Sequence, residues 1–267
     1  MVQPSRVSED YANKVPEVTL GFWIIKIIAT TLGETLGDSV TMTWLKADVM
    51  VNSGYLVGSA IFLSALIVLV AVQISAKRFH PFLYWSVIVA STTAGTAVAD
   101  FATRSLGIGY TGGSLILFAC LMTVLASWYR SEGSISVDTV STPRVEAFYW
   151  AAITFSQTLG TALGDWIAHT GLGYGGGALV FGAGLAVIAA LYYWTSVSRV
   201  LLFWAAFILT RPLGATLGDL LDKPLDHGGL ALSRLIASVV IAAMMIGLIL
   251  LIPQRAGSHP TPSQGRA

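Results

Sequence analysis

The sequence predicts an all-α integral membrane protein with eight transmembrane helices, which form four tandem helical hairpins and leave both termini in the cytoplasm. Three observations support this prediction: charge is scarce, long apolar runs recur, and one motif is repeated four times. Charged residues make up 11 % of the 267 residues and hydrophobic residues 55 %, whereas a typical soluble domain is about 25 % charged. This composition argues against a soluble enzyme or a disordered chain, and the net charge of +1 offers no basic surface for nucleic acid.

Each quarter of the chain contains two apolar runs of about 20 residues, which is enough to cross a hydrocarbon core about 30 Å thick. Backbone polar groups must be satisfied inside lipid, so runs of this length are predicted to be helices. The predicted helices lie near residues 18–40, 53–75, 82–104, 112–129, 146–168, 175–195, 199–221 and 229–252. Together they define a single membrane domain over residues 18–252.

An aromatic–tryptophan pair marks the first apolar run of each quarter. A glycine follows each tryptophan by ten residues and an aspartate follows it by fifteen. The three series are Trp23, Trp85, Trp150 and Trp204; Gly33, Gly95, Gly160 and Gly214; and Asp38, Asp100, Asp165 and Asp219. Identical spacing four times over indicates internal repeats, which we place at approximately 18–76, 80–130, 145–196 and 199–252.

Four tandem two-helix repeats, each with a tryptophan, resemble a family of bacterial integral membrane proteins. That family is known mainly as a repeat of unknown function and is often labelled a membrane-anchored protein. The resemblance covers residues 18–252 and implies a multi-pass protein of the bacterial inner membrane. It implies no activity, so the functional argument has to come from the residues.

Positive charge sets the predicted orientation. The links on the side of the two termini carry Arg6, Lys14, Lys77, Arg78, Arg130, Arg144, Arg199, Arg255 and Arg266, and the opposite links carry Lys46, Arg104 and Lys223. The positive-inside rule therefore predicts both termini in the cytoplasm. Residues 1–17 are predicted to be a cytoplasmic N-terminal segment, and residues 253–267 a disordered cytoplasmic tail.

The repeated tryptophans and glycines are interpreted as structural. Fifteen residues of helix rise roughly 22 Å, so each Trp is expected near the cytoplasmic interface, as an anchoring and packing residue, and each Asp near the outer interface. Small residues four apart share one helix face and let two helices approach closely. These pairs are Gly33/Gly37, Gly95/Ala99, Gly160/Gly164 and Gly214/Gly218.

The four aspartates allow two interpretations. All have equivalent depth, so they form either a ring or two facing pairs, and an Asp near a helix C-terminus needs a compensating partner. Arg104, His169 and Lys223 follow three of them by four residues, whereas Asp38 has Met42 at that position. The aspartates are either structural brackets that bind the turn into the next helix, or the lining of a carboxylate vestibule open to the outside.

Departures from the repeat mark the stronger candidates for function. Glu34 stands where the other repeats have Thr96, Thr161 and Ala215. It lies one turn before Asp38 on the same helix face, so the two carboxylates are expected to bind a cation or share a proton. Lys26 and Arg211 also break the pattern, and we expect one of them to pair with Glu34.

A polar belt surrounds these charges near mid-membrane. Its members are Thr30, Thr31, Thr92, Thr93, Ser156, Gln157, Thr158, Thr210 and Arg211. They are expected to face the bundle axis, although hydroxyls can also bond to carbonyls of their own helix. Pro212 predicts a break in the seventh helix that would expose carbonyls.

The outer loop of the fourth repeat offers a weaker metal site. Asp222, Asp226 and His227 could hold a cation beside Asp219, but a solvated acidic loop explains them as well. The sequence contains no phosphate loop, no HExxH, no nucleophile elbow and no CxxC pair, so we predict neither an enzyme nor a bound cofactor.

Three functional hypotheses remain open. The first is a transporter or exporter of a small cation, such as a divalent metal with or without proton coupling, whose candidate residues are Glu34, Asp38, Lys26, Arg211, Asp100, Asp165 and Asp219. The second is a membrane scaffold, sensor or partner subunit that does not transport. The third is a carrier of an anion or organic solute bound by Lys26 and Arg211. The expected partners are lipid and a small ion or solute rather than nucleic acid, and the oligomeric state stays open.

Overall fold

The computed structural model describes residues 13–47 and 51–257, apart from the side chains of residues 51, 52 and 227. The described part is all-α, as predicted. Its long helices are α1 (Leu20–Asp38), α2 (Val51–Ser75), α3 (Pro81–Asp100), α4 (Gly109–Glu132), α5 (Pro143–Ile167), α6 (Gly173–Trp194), α7 (Arg199–Asp222) and α8 (Arg234–Leu251). Short 3-10 turns occur at Val137–Thr139 and Leu225–His227.

Helical segments long and apolar enough to cross a membrane number seven within the described residues. One of them, Pro143–Trp194, contains 52 residues and includes both α5 and α6. The two helices meet at a π-helical turn in which Gly171 has a φ of 93°, outside the helical range. The protein is therefore a multi-pass membrane protein by helix length and hydropathy.

Polar residues fix where the helices begin. In four helices a backbone N–H of the first turn donates a hydrogen bond to the hydroxyl of the residue that precedes the helix. These capping residues are Thr19 of α1, Thr142 of α5, Ser198 of α7 and Ser233 of α8. Such caps satisfy donors that the helix itself leaves free. α8 begins at Arg234 rather than near residue 229, because Leu230 and Leu232 instead donate to carbonyls of Leu220 and Leu221.

The helices that carry the repeated motif end in an unusual way. α1, α3 and α5 pass at or shortly after the repeated Asp into π-helical segments, Ser39–Trp44, Phe101–Ser105 and Ala168–Leu172. π-helical turns are rare and often occur at functional sites. α7 differs, because it continues as α-helix to Asp222 and stops before Pro224.

The four motif helices form an inner ring. α1 packs on α3, α3 on α5, α5 on α7, and α7 packs on α1 to close the circle. Each remaining helix lies outside and packs on the inner helix of the following repeat: α2 on α3, α4 on α5, α6 on α7, and α8 on α1. Burial agrees with this arrangement, since 61 % of the apolar window of the α1 segment is buried but only 22 % of that of α2.

Repeated glycines allow the inner helices to approach closely. A Cβ added at Gly33 would lie 1.6 Å from Thr92 Oγ1, and one added at Gly214 would lie 2.2 Å from Thr30 Oγ1. Gly160 and Gly95 meet Arg211 and Gln157, which occupy the same position as those threonines in their own repeats. At each of the four helix contacts of the ring, the repeated glycine of one inner helix therefore packs against the residue that lies seven positions after the tryptophan of the neighbouring inner helix.

The aromatic pairs of the four repeats form one cluster at the N-terminal ends of the inner helices. In each repeat the first aromatic ring packs against the tryptophan of the next repeat. These contacts are Phe22–Trp85, Tyr84–Trp150, Tyr149–Trp204 and Phe203–Trp23, with ring centroids 5.5, 5.6, 6.5 and 5.7 Å apart. Trp85, Trp150 and Trp204 are buried, so these three rings pack in the core and do not anchor the protein at its surface.

The two terminal segments pair with each other beneath the aromatic cluster. Pro16 and Ala256 form an antiparallel bridge, and Gly257 N donates to Val15 O at 2.9 Å. We predicted a disordered tail from Pro253, but residues 254–257 are held in this pairing. Of the predicted terminal segments 1–17 and 253–267, residues 1–12 and 258–267 lie outside the described residues.

Lys14 fixes the N-terminal segment to the bundle. Its ammonium donates to the carbonyls of Gln73, Ile74 and Ala76, at the C-terminus of α2, and lies 2.5 Å from a carboxylate oxygen of Glu146. Both side chains are buried. A lysine predicted to lie in a cytoplasmic link is thus a buried helix cap and ion-pair partner.

Candidate functional site

The four repeated aspartates form two facing pairs rather than an open ring. Arg104 lies between Asp100 and Asp165, with N–O distances of 3.0 and 3.5 Å. Lys223 lies between Asp38 and Asp219, contacting the carboxylate of Asp38 and lying 2.8 Å from Asp219 Oδ1. All four aspartates are buried, so each pair is an internal ion-pair cluster that joins neighbouring repeats.

The cations of these clusters come from the position four residues after an aspartate. The expectation that Arg104 and Lys223 serve their own aspartates is confirmed. His169 does not serve Asp165 in this way, because its Nδ1 is 2.7 Å from the backbone carbonyl of Asp165 and its ring packs on Tyr110. Asp38, which has no such residue in its own repeat, receives Lys223 from the fourth repeat instead.

Lys223 has a strongly acidic environment. Besides Asp38 and Asp219, Asp222 lies 3.8 Å from its ammonium. Burial by itself lowers the pKa of Lys223, but the carboxylates of Asp219, Asp38 and Asp222 outweigh this effect and raise that pKa well above its ordinary value. The side chain therefore remains a cation at neutral pH.

Arg211 and Glu34 form the central ion pair, as we expected for one of the two non-repeated cations. Arg211 Nη2 lies 2.8 Å from Glu34 Oε2 and also donates to Thr96 Oγ1 at 2.6 Å and Thr161 Oγ1 at 2.5 Å. Glu34, Thr96 and Thr161 are equivalent residues of the first three repeats, and the fourth has the small Ala215. One guanidinium nitrogen thus joins all four inner helices at a single level.

Glu34 also belongs to a group of three carboxylates, which we call the acid triad: Glu34, Asp38 and Asp219. One oxygen of each lies within 4.8 Å of the others, and all three residues are buried. Gly218 allows this approach, because a Cβ there would lie 2.7 Å from Glu34 Cβ. The sequence predicted the Glu34–Asp38 pair, and the ring closure of α7 onto α1 adds Asp219.

The acid triad breaks the symmetry of the two aspartate pairs. The pair formed by Asp100 and Asp165 has Thr96 and Thr161 at the positions equivalent to Glu34. Asp38 Oδ1 has no hydrogen-bond partner among the described residues. The pair formed by Asp38 and Asp219 therefore differs by an additional carboxylate, whereas carboxylate oxygens without a hydrogen-bond partner occur in both pairs.

Lys26 does not pair with Glu34. Its Nζ lies 4.1 Å from the centroid of the Phe207 ring and 3.5 Å from Thr210 Oγ1. Phe207 is the residue equivalent to Lys26 in the fourth repeat. A cation–π contact with this ring stabilises the ammonium, but no carboxylate of the described residues forms an ion pair with it.

Most hydroxyls of the polar belt bond to their own helices. Thr30 donates to Ile27 O at 2.8 Å, Thr93 to Val89 O at 2.9 Å and Thr158 to Thr154 O at 2.9 Å. Pro212 does not break α7, which runs without interruption from Arg199 to Asp222, so the prediction of a broken helix is wrong. The remaining candidates in the belt are its long side chains, Gln157 and Arg211.

The outer loop of the fourth repeat does not gather the predicted metal ligands. Asp222 turns inward, where its carboxylate lies 3.6 Å from Arg234 and 3.8 Å from Lys223, whereas Asp226 is exposed. The side chain of His227 lies outside the described part. A cavity of about 370 Å³ is lined by Asp222 and Arg234, among others.

Comparison with known sequences agrees with the repeat architecture. The repeat of unknown function DUF347 matches four times, over residues 21–79, 83–134, 148–198 and 202–253. No curated protein and no solved structure is similar enough to count as a match. The four copies cover most of the chain, and the protein belongs to the DUF347 repeat family.

Proposed function

We propose that this protein transports a small cation, with divalent metals as the first class to test, and that the acid triad binds the cation. The observation that supports this most directly is the geometry of Glu34, Asp38 and Asp219. Carboxylate oxygens up to 4.8 Å apart can be bridged by an ion whose metal–oxygen distances are about 2.3–2.6 Å. Oδ1 of Asp38 has no hydrogen-bond partner among the described residues and is available to such an ion.

In this proposal the chain crosses the membrane eight times. The 52-residue segment Pro143–Trp194 would be about 78 Å long as one helix, far more than a hydrocarbon core of about 30 Å. Gly171 breaks it, which divides it into two spans. An even number of spans puts both termini on one side, and the distribution of Lys and Arg favours the cytoplasm of a bacterial inner membrane.

Lys223 acts as a resident counter-ion in the proposed cycle. Its ammonium occupies the space between Asp38 and Asp219, so an entering cation must displace it. The exchange replaces one positive charge by another and avoids leaving two carboxylates unpaired in a medium where this is costly. Lys223 immediately follows α7, where the chain is extended, so its side chain can withdraw without unwinding that helix.

Transport by the purified protein in liposomes tests the proposal. Uptake of Mn²⁺, Ca²⁺ and Zn²⁺ is measured for the wild type, Glu34→Gln and Asp38→Asn, and we expect both variants to lose uptake of the transported ion. Asp100→Asn is the matched control, because it changes the equivalent aspartate of the pair without a third carboxylate. The proposal fails if the wild type stays at background for every ion, or if both triad variants transport normally.

One observation favours a membrane scaffold or partner subunit as the second candidate. All four repeated aspartates are held in internal ion pairs between repeats, which is the arrangement expected of structural brackets. In that case Asp38→Asn and Asp100→Asn lower thermal stability to a similar extent, while ion flux of the folded wild type stays at background.

A further inference from the structure

Three long polar side chains near the bundle axis carry hydrogen-bond donors without acceptors. Arg211, Gln157 and Lys26 are each 0 % exposed. Nε and Nη1 of Arg211 and both amide atoms of Gln157 have no hydrogen-bond partner among the described residues. Lys26 Nζ has only Thr210 Oγ1, at 3.5 Å. Burying a polar group without a hydrogen-bond partner costs free energy. Several such groups close to the bundle axis therefore indicate that a ligand or solvent binds them.

The repeat places two of these side chains at one level of the inner ring and the third one turn away. Arg211 and Gln157 occupy equivalent positions on neighbouring inner helices, and each lies against the glycine of the adjoining helix, Gly160 or Gly95. The other two repeats have Thr30 and Thr92 there, which are too short to pass the glycine. Lys26 precedes Thr30 by four residues, so it lies one helical turn along α1 from this level.

The buried groups without a hydrogen-bond partner are mostly donors. Nε and Nη1 of Arg211 carry three N–H bonds and the amide of Gln157 carries two, whereas the same atoms offer one acceptor, the amide oxygen. A water molecule brings as many donors as it does acceptors and cannot correct this imbalance. An anion only accepts hydrogen bonds, so its chemistry fits the group.

The charges lead to the same conclusion. Glu34 lies 2.8 Å from Arg211 Nη2 and neutralises that guanidinium. Lys26 forms no ion pair with a described carboxylate and relies on the ring of Phe207. A buried ammonium needs a counter-charge, and one negative charge between Lys26 and Arg211 would provide it and accept a hydrogen bond from one unbonded nitrogen of Arg211.

We propose that a small inorganic anion with the size and charge of chloride binds between Arg211, Gln157 and Lys26. The site uses a guanidinium nitrogen other than Nη2, which is the one that holds Glu34. It does not require that the protein transports a cation. It differs from the acid triad in its ligands and in the sign of the ion, so the two proposals can fail separately.

Thermal unfolding of the purified full chain in detergent tests the site. Chloride is titrated against gluconate at constant ionic strength, and bromide is used as a second probe. We expect a saturable rise of several degrees in the unfolding midpoint of the wild type, because a ligand that binds only the folded state stabilises it. Lys26→Ile and Gln157→Thr should each abolish the rise. Both introduce residues that other repeats have at the same position, namely Ile88 and Ile153 for the first substitution and Thr30 and Thr92 for the second.

Lys77→Ala provides the control, since it removes an exposed lysine and should leave the full response. Variants that introduce the residues of the sister repeats are expected to fold, and an unfolding transition in gluconate verifies this for each. The proposal is overturned if chloride and gluconate give the same wild-type midpoint. It is equally overturned if folded Lys26→Ile and Gln157→Thr both keep the full chloride response.

Discussion

Lys223, at the end of the fourth repeat, contacts Asp38 of the first repeat, 185 residues away in the sequence. Arg104 makes the corresponding contact between the second and third repeats, reaching Asp165 at 3.5 Å. The contact of Lys223 closes the ring of repeats electrostatically where the chain itself does not connect them. It also places a cation of the protein on two of the three carboxylates of the acid triad.

Replacing Lys223 by Met should destabilise the protein and increase its response to metal. Asp38 and Asp219 lose their shared cation, and removing one partner of a buried pair costs about 3–5 kcal/mol. A divalent ion can take the vacant place, so added Mn²⁺ or Ca²⁺ should raise the unfolding midpoint of Lys223→Met more than that of the wild type. Arg104→Met is the matched control, and its midpoint should respond no more than the wild type does.

The contribution of the Lys223 ammonium to the stability of the wild type should not vary near neutral pH. Its pKa is raised in the folded protein, so its stabilisation is complete below the unfolded value of about 10.4 and is lost only as pH rises through the folded value. The ammonium should therefore stay protonated from about pH 6 to 9, and the ¹⁵N chemical shift of Lys223 Nζ, followed by NMR over this range, should show no titration step.

Glu34 and Arg211 should show strong energetic coupling. Glu34→Thr alone leaves a buried guanidinium without its counter-charge, and Arg211→Thr alone leaves a buried carboxylate, so each should cost about 3–5 kcal/mol. The double variant has the residues of the second repeat at both positions and should cost clearly less than the two single changes added together. Unfolding of the four proteins gives the coupling energy, and additive costs would contradict the pairing.

Substitution of a repeated glycine at a ring contact should be costly, whereas substitution of a glycine with open surroundings should not. A Cβ at Gly160 would lie 2.3 Å from Arg211 Cγ, so Gly160→Ala should destabilise by about 1–3 kcal/mol through overpacking. Gly182, in α6, has nothing within 4 Å of an added Cβ. Gly182→Ala should therefore stabilise by about 0.5–1 kcal/mol, since glycine is unfavourable inside a helix. Denaturant midpoints of the two variants measure the difference, and equal costs would exclude the close contact.

Lys14 should be essential for the attachment of the N-terminal segment. Lys14→Met removes the contacts with three carbonyls of α2 and leaves Glu146 buried without a partner. We expect a lower unfolding midpoint and faster proteolysis near residues 13–17. The double variant Lys14→Met with Glu146→Gln should recover part of the midpoint but not the protease resistance, which would identify the helix cap as the attachment.

Much of this architecture follows from periodicity in the sequence. The apolar runs predicted the helices, and the Trp–Gly–Asp spacing predicted the repeats and the close glycine contacts. The departures of Glu34, Lys26 and Arg211 from the repeat predicted that one of the two cations pairs with Glu34. These inferences depend on residues within one repeat or at equivalent positions in different repeats. Such relations are fixed by helix geometry and need no knowledge of which repeats are neighbours.

The contacts that sequence reasoning missed all depend on how the repeats meet. Asp38 had no partner in its own repeat, and only closure of α7 onto α1 brings Lys223 to it. Trp85 packs on Phe22 of the preceding repeat rather than facing lipid for the same reason. Lys14 was expected in a solvated link, because nothing local indicates that α2 presents free carbonyls to it. Neighbour relations between elements far apart in the sequence decide these positions.

Because each outer helix packs on the inner helix of the following repeat, the four repeats are equivalent around the ring and none of them is structurally the first. α8 covers α1 as α2 covers α3, and the isolated β-bridge between Pro16 and Ala256 brings the described ends together. A circular permutant opened in the link at residues 195–198, with a short linker between the present ends, would keep every contact of the ring. A single repeat, by contrast, leaves its outer helix without the surface it covers, so the smallest self-sufficient unit of this fold is the closed circle.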